Sequence, residues 1–147
     1  MEKKDFYIIL SGLAFIIILV VVSFYLPKKA EAENVLILTD KSEYSAGDSL
    51  KIKIENHKKD RICFSSCYPY MLQKKNGDWL NYNYEECNKE DMVEKCIDPD
   101  DKKAFEIVLP NINSGPHRIQ ISACLGCSVN EKFKEQESFF SNNFIVK

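Results

Sequence analysis

Six cysteines are the residues best suited to chemistry. They stand as Cys63-x3-Cys67, Cys87-x8-Cys96 and Cys124-x2-Cys127. Three chemistries suit them. An even set in an oxidising compartment forms disulfides, and six cysteines allow many connectivities. Cys63, Cys67, Cys124 and Cys127 also match two knuckles of a tetrahedral zinc site in a reducing one. Cys124-Leu125-Gly126-Cys127 has the CxxC form of a thiol oxidoreductase. That chemistry needs a helix N-terminus to lower the thiol pKa, and the pattern here follows a strand with no helix behind it. Compartment therefore decides among them.

The other reactive types point away from catalysis. Glu85–Asp101 holds eight acids, and Asp98, Asp100 and Asp101 are hard oxygen donors. They lack EF-hand spacing and adjoin Lys102 and Lys103, so the stretch reads as a solvated acidic loop and no metal is expected. His57 and His117 have no nucleophile elbow, HExxH or paired carboxylates beside them, and both read as structural or surface residues. No catalytic residue and no cofactor are predicted. Phe64, Tyr68, Tyr70, Trp79, Tyr82 and Tyr84 crowd into about twenty positions. Trp79 reads as the central core residue. Tyr68, Tyr82 and Tyr84 are the candidates for an exposed recognition surface, because tyrosine is favoured at interfaces.

The compartment follows from Phe6–Leu26 (FYIILSGLAFIIILVVVSFYL), 21 residues without a charge. As a helix it spans roughly 30 Å, the depth of a bilayer's hydrocarbon core. Residues 1–5 then form a cytoplasmic n-region, 6–26 a signal anchor, 27–33 a charged tether and 34–147 a domain outside the membrane. Ala30-Glu31-Ala32 has the small-x-small form of a signal-peptidase site, so a cleaved, secreted form is the alternative. All six cysteines follow the apolar run, which selects disulfides over zinc or free thiols. The chain has 20 basic and 22 acidic residues, a net charge of –2. That balance offers no basic face for nucleic acid.

Beyond the tether the pattern is mainly that of strands. Val35–Thr39 is a short apolar run, and Leu50, Ile52 and Ile54 alternate with Lys51, Lys53 and Glu55. Arg61–Ser65 and Tyr70–Lys75 form one extended piece interrupted at Pro69. Asn76-Gly77 predicts a hairpin into Trp79–Tyr82, since both residues accept positive φ. Glu85–Asp101 reads as an insert with one helical turn near Glu90–Glu94. Lys103–Leu109, Ile119–Cys124 and Phe139–Val146 complete about seven strands with turn signals between them. The expected fold is all-β, an immunoglobulin-like sandwich of antiparallel strands after one N-terminal transmembrane helix.

Several motifs resemble the bacterial Ig-like domain family. Thr39-Asp40-Lys41, Tyr44, Gly47-Asp48 and the run to Asn56 are similar to its TDK-x-x-Y-x-x-G-(E/D) opening and following IEN. Leu72-Gln73-Lys74, Gly77-Asp78-Trp79, Gly115-x-x-Arg118-Ile119 and Asn143-Phe144-Ile145-Val146 are similar to its later landmarks. His117 stands where the motif has tyrosine, and the cysteines are additions to the pattern. The resemblance implies an exported or cell-surface module that binds a protein or surface partner without catalysis. In outline it extends to the bacterial intracellular proteinase inhibitor family, whose mode would expose one loop, Pro110–Pro116 or Leu125–Glu137. A thiol- or metal-binding role for the cysteine pairs is the other alternative. Within this fold, placing Arg61–Lys75 beside Arg118–Cys124 predicts a bridge from Cys63 or Cys67 to Cys124 or Cys127. Cys87–Cys96 would then close the insert on itself.

Overall fold

Alternation of apolar and polar residues builds the structure. The computed structural model describes residues 34–82 and 86–147, so Phe6–Leu26 and the tether lie outside the described residues. Every regular element among the described residues is a β-strand. In chain order they are β1 (Val35–Thr39), β2 (Glu43–Tyr44), β3 (Ser49–Asn56), β4 (Ile62–Ser65), β5 (Met71–Asn76) and β6 (Asp78–Asn81). There follow β7 (Val93–Ile97), β8 (Lys102–Val108), β9 (Gly115–Leu125), β10 (Glu137–Phe140) and β11 (Phe144–Val146).

Two sheets result. The smaller has the order β1-β3-β8, and the larger runs β2-β11-β9-β4-β7, with β10 also on β9 and β5 joining β9 to β6. The strands pair antiparallel except for β2 with β11, so the larger sheet is mixed. Its centre is β9. One edge of β9 takes β5 at 117–120 and β4 at 123–125; the other takes β11 at 115–117 and β10 at 120–123. Ile52 and Ile54 from the small sheet share one buried cluster with Ile62, Ile97, Ile119, Ile121 and Phe144 from the large one. Removing an isoleucine side chain from such a site costs about 2–5 kcal/mol.

The strand count exceeds about seven because β2 and β7 are additional and two expected strands are each divided, Arg61–Lys75 into β4 and β5 and the last into β10 and β11. The predicted final strand is divided at Ser141, whose N–H donates to the Ile119 carbonyl and whose Oγ accepts from Ile119 N–H. The acidic insert, expected to carry a helical turn, instead contains β7. Val93 and Ile97 suggest i,i+4 spacing, but a register shift opposite Phe64 and Ser65 sends them to opposite faces. Ile97 enters the main core and Val93 a second cluster with Cys63 and Cys124.

The opening motif is held by its own hydrogen bonds. Tyr44 Oη donates to Asp40 Oδ1 at 2.7 Å and accepts from Lys41 N–H, while Lys51 N–H donates to the same Asp40 oxygen. Burial works against the Asp40 charge, but the bonds from Tyr44 and Lys51 outweigh it and hold the carboxyl below its ordinary pKa. Asn56, at the end of β3, is wholly buried and donates to the carbonyls of Asp60 and Ile97. Ile97 belongs to the other sheet, so this amide ties the two together.

The Asn76-Gly77 hairpin is present, joining β5 to β6. It is tighter than expected: Gly77 alone takes positive φ, at 69°. A Cβ there would meet nothing within 4 Å, so the demand for glycine comes from the backbone alone. His117 lies inside β9 on its core face, fully buried and stacked on Phe144. With the proton on Nδ1, the ring donates to the Gly115 carbonyl at 2.8 Å. Nε2 has no partner among the described residues. Burial lowers the imidazole pKa, and nearby Lys74 adds to that, against the Gly115 bond.

Two predictions follow from these backbone and burial constraints. Gly77→Val should cost about 1–2 kcal/mol by denaturant unfolding, and Gly77→Asn less, because asparagine tolerates this region of φ. For His117, the folded pKa is depressed, so the unfolded chain binds more protons below about pH 6.5. Stability from neutral His117 is therefore complete above that pH and declines as pH falls toward the folded pKa. His117→Phe should flatten this part of the stability profile between about pH 7 and 5.

Candidate functional site

The outward face of β9 carries Arg118, Gln120, Ser122 and Cys124, roughly 6.7 Å apart, while His117, Ile119, Ile121 and Ala123 face the core. Two groups of chemistry-bearing residues gather on that outward face, one near each end.

The first centres on Arg118. Its guanidinium carbon lies 4.2 Å from the Trp79 ring centroid and 3.9 Å from that of Phe140. Trp79 comes from β6 and Phe140 from β10, so rings from both flanks enclose one cation. Lys75 Nζ lies 5.3 Å from the same tryptophan ring. A chain of side-chain hydrogen bonds fixes the arrangement. Arg118 Nε donates to Gln73 Oε1 at 2.7 Å, and Gln73 Nε2 donates to Asn81 Oδ1 and Gln120 Oε1. Gln120 Nε2 donates to Ser138 Oγ, which donates to Glu135. No carboxylate among the described residues forms an ion pair with Arg118. Burial lowers the guanidinium pKa without discharging it at working pH. Phe140 remains 44% exposed.

This corrects the reading of Trp79 as the central core residue. It is half-buried on an edge hairpin and absent from the main cluster. Cross-strand position places it on the outward face, because Trp79 opposes Lys75 and Asn81 opposes Gln73. Of the three tyrosines read as a recognition surface, Tyr68 and Tyr82 are half-buried. Tyr68 Oη accepts from Cys87 N–H, Tyr82 packs half-buried against the core, and Tyr84 lies outside the described residues. Arg118, Gln73 and Phe140 were missed as site residues. Their parity within strands was the available signal, but it cannot say which strands are neighbours.

The second group is the cysteines, paired as Cys63–Cys96, Cys67–Cys87 and Cys124–Cys127. All six candidates are thus paired, but the connectivity differs from expectation. Cys87 and Cys96 do not join each other, because β7 is a sheet strand that brings Cys96 opposite Cys63. Cys87 instead reaches Cys67, in a turn where Asp91 accepts from Ser65 Oγ and from Cys67 N–H. β4 and β9 are antiparallel neighbours as predicted, and Cys63 does oppose Cys124, yet no bridge joins them. Cys63, Cys96, Cys124 and Cys127 pack with Val93 and Phe133 into one small cluster. The loop after β9 covers it, through hydrogen bonds from Val93 N–H to Glu131, from Asn130 N–H to Val93 and from Phe133 N–H to Asp91. Of the two loops suited to a protease cleft, this one is therefore fastened to β7; in the other, Ile112 is buried.

No protein-family model matches the chain, and no curated protein matches it. Solved structures show distant similarity. An alkylpurine DNA glycosylase of Pseudomonas fluorescens, bound to DNA containing an abasic-site analogue, matches 80% of this chain at 11% identity and a TM-score of 0.40. A β-glucosidase of Listeria innocua in complex with glucose matches 77% at 10% identity and 0.34. A mutant of that glucosidase with laminaribiose matches 78% at 12% identity and 0.32. The matched regions span 31% of the glycosylase and 16% of each glucosidase.

The single tryptophan makes the Arg118 contact measurable. Arg118→Ala should shift Trp79 emission to longer wavelength and cost about 1–2 kcal/mol, from two lost cation–π contacts and a stranded Gln73. Arg118→Lys should recover little of either, because the planar stacking group is gone.

Proposed function

We propose that the chain is a membrane-anchored, extracytoplasmic immunoglobulin-like domain that binds a protein or cell-surface partner and is not an enzyme. The observation that carries the binding role is Arg118 held between Trp79 and Phe140 on an exposed sheet face. Tryptophan and arginine dominate contact energies in protein interfaces, and a preordered side chain loses little entropy on binding. A cation without a carboxylate partner among the described residues suits an acidic group on the partner.

The sandwich reading is supported by two sheets that contribute to one core and by the bonded roles of Asp40, Tyr44 and Asn56, which belong to the resembling motif. An external location is supported by three cysteine pairs in a chain whose only long apolar run precedes them. In this reading residues 6–26 hold the domain outside the membrane, with the N-terminus cytoplasmic.

The test is capture from intact envelopes with residues 34–147 as bait, beside the Trp79→Ala/Phe140→Ser double variant. A partner retained by the parent and lost by a variant of similar melting temperature supports the platform. Equal capture by both removes it. Full-length protein should also fractionate with membranes at full mass; a mature chain beginning at Glu33 would refute the anchor.

A further inference from the structure

Cys63 has two cysteines beside it and is bonded to only one. β4 runs between β7 and β9, and its register sets Cys63 opposite Cys96 on one side and Cys124 on the other. Directly opposed residues of antiparallel strands hold their Cβ atoms about 4.5–5.5 Å apart, close to what a disulfide spans. The bonds in place are Cys63–Cys96 and Cys124–Cys127. The Cys127 carbonyl oxygen lies 3.1 Å from Cys63 Sγ, so the CxxC turn rests directly on the Cys63 sulfur. Cys63 and Cys124 are buried while Cys96 and Cys127 are half-buried, so each bridge offers solvent one sulfur, and attack at Cys127 is the one that frees Cys124 beside Cys63.

We propose that Cys63, Cys96, Cys124 and Cys127 form a stoichiometric thiol–disulfide exchange site that reacts with a dithiol, with Cys63 bonding to either neighbour. One thiolate of the dithiol attacks Cys127 Sγ, breaking the Cys124–Cys127 bond and releasing the Cys124 thiolate. Cys124 attacks Cys63 Sγ: the Cys63–Cys124 bond forms, the Cys63–Cys96 bond breaks, and Cys96 leaves as a thiolate that takes up a proton. The second thiolate of the dithiol then attacks its own mixed-disulfide sulfur, departing as an intramolecular disulfide and freeing Cys127. Two electrons pass from dithiol to chain. The cluster retains one bridge, Cys63–Cys124, and gains thiols at Cys96 and Cys127. The covalent link from β4 moves from the sheet edge, β7, to the central strand, β9.

The test treats the full chain with one equivalent of dithiothreitol, traps thiols with N-ethylmaleimide and maps the linked peptides with fragmentation. Label on Cys96 and Cys127, together with a Cys63–Cys124 link, is the expected result. Label on Cys124 and Cys127 with Cys63–Cys96 intact would overturn the proposal. A Cys127→Ser variant needs no reductant, because it leaves Cys124 as a free thiol beside the Cys63–Cys96 bond. About a tenth or more of that variant should carry Cys63–Cys124, at a rate that rises between about pH 7 and 9 with the thiolate fraction. A free thiol confined to Cys124 would overturn it equally. Should the variant fail to fold, the dithiothreitol experiment on the parent chain decides alone.

Discussion

Strand β9 must serve two solvents at once, and the rest of the domain depends on how it does so. Its odd-numbered residues from His117 to Ala123 face the main core, and its even-numbered ones from Arg118 to Cys124 face outward. A slip of one residue would drive Arg118 and Gln120 into the core and turn Ile119 and Ile121 to water. That penalty fixes the register of every strand paired to β9. Because β9 is 11 residues long and its neighbours are shorter, two strands line each edge, and nearly the whole edge is hydrogen-bonded.

Buried polar groups show where the domain is strongly specified. Asn56 and Tyr44 are buried with their hydrogen bonds made, which turns polar side chains into links between loops and sheets. His117 differs, since one ring nitrogen is bonded and the other has no partner among the described residues. An unsatisfied buried acceptor costs about 1–3 kcal/mol. The stack against Phe144 offsets some of that cost, while burial, which disfavours the protonated ring, makes stability sensitive to acid.

The outward face of β9 places an ordered cation and a disulfide cluster on one strand. Arg118 is ordered by Gln73, Trp79 and Phe140, and Cys124 by a separate cluster under the following loop. Ser122 lies between them, with its hydroxyl near Ser138. The two groups therefore share a rigid support while keeping separate neighbours.

Several features were legible in the amino-acid sequence because they depend on local pattern. Period-two alternation located β3, β8 and β9, Asn76-Gly77 located a hairpin, and the six cysteines indicated disulfides. What local pattern cannot express is which strands lie side by side. The acidic stretch reads as an insert with a helical turn near Glu90–Glu94, and only pairing with β4 makes Val93–Ile97 a strand. Trp79 looked like core because it is large and apolar, yet its place beyond β5 puts it outside, against Arg118. The disulfide partners were decided in the same way. Cys96 meets Cys63 because β7 and β4 are neighbours, and Cys87 is left to Cys67. Side-chain parity is a property of one strand and can be read along the chain; adjacency is set by burial summed over the whole core, so only the tertiary structure contains it.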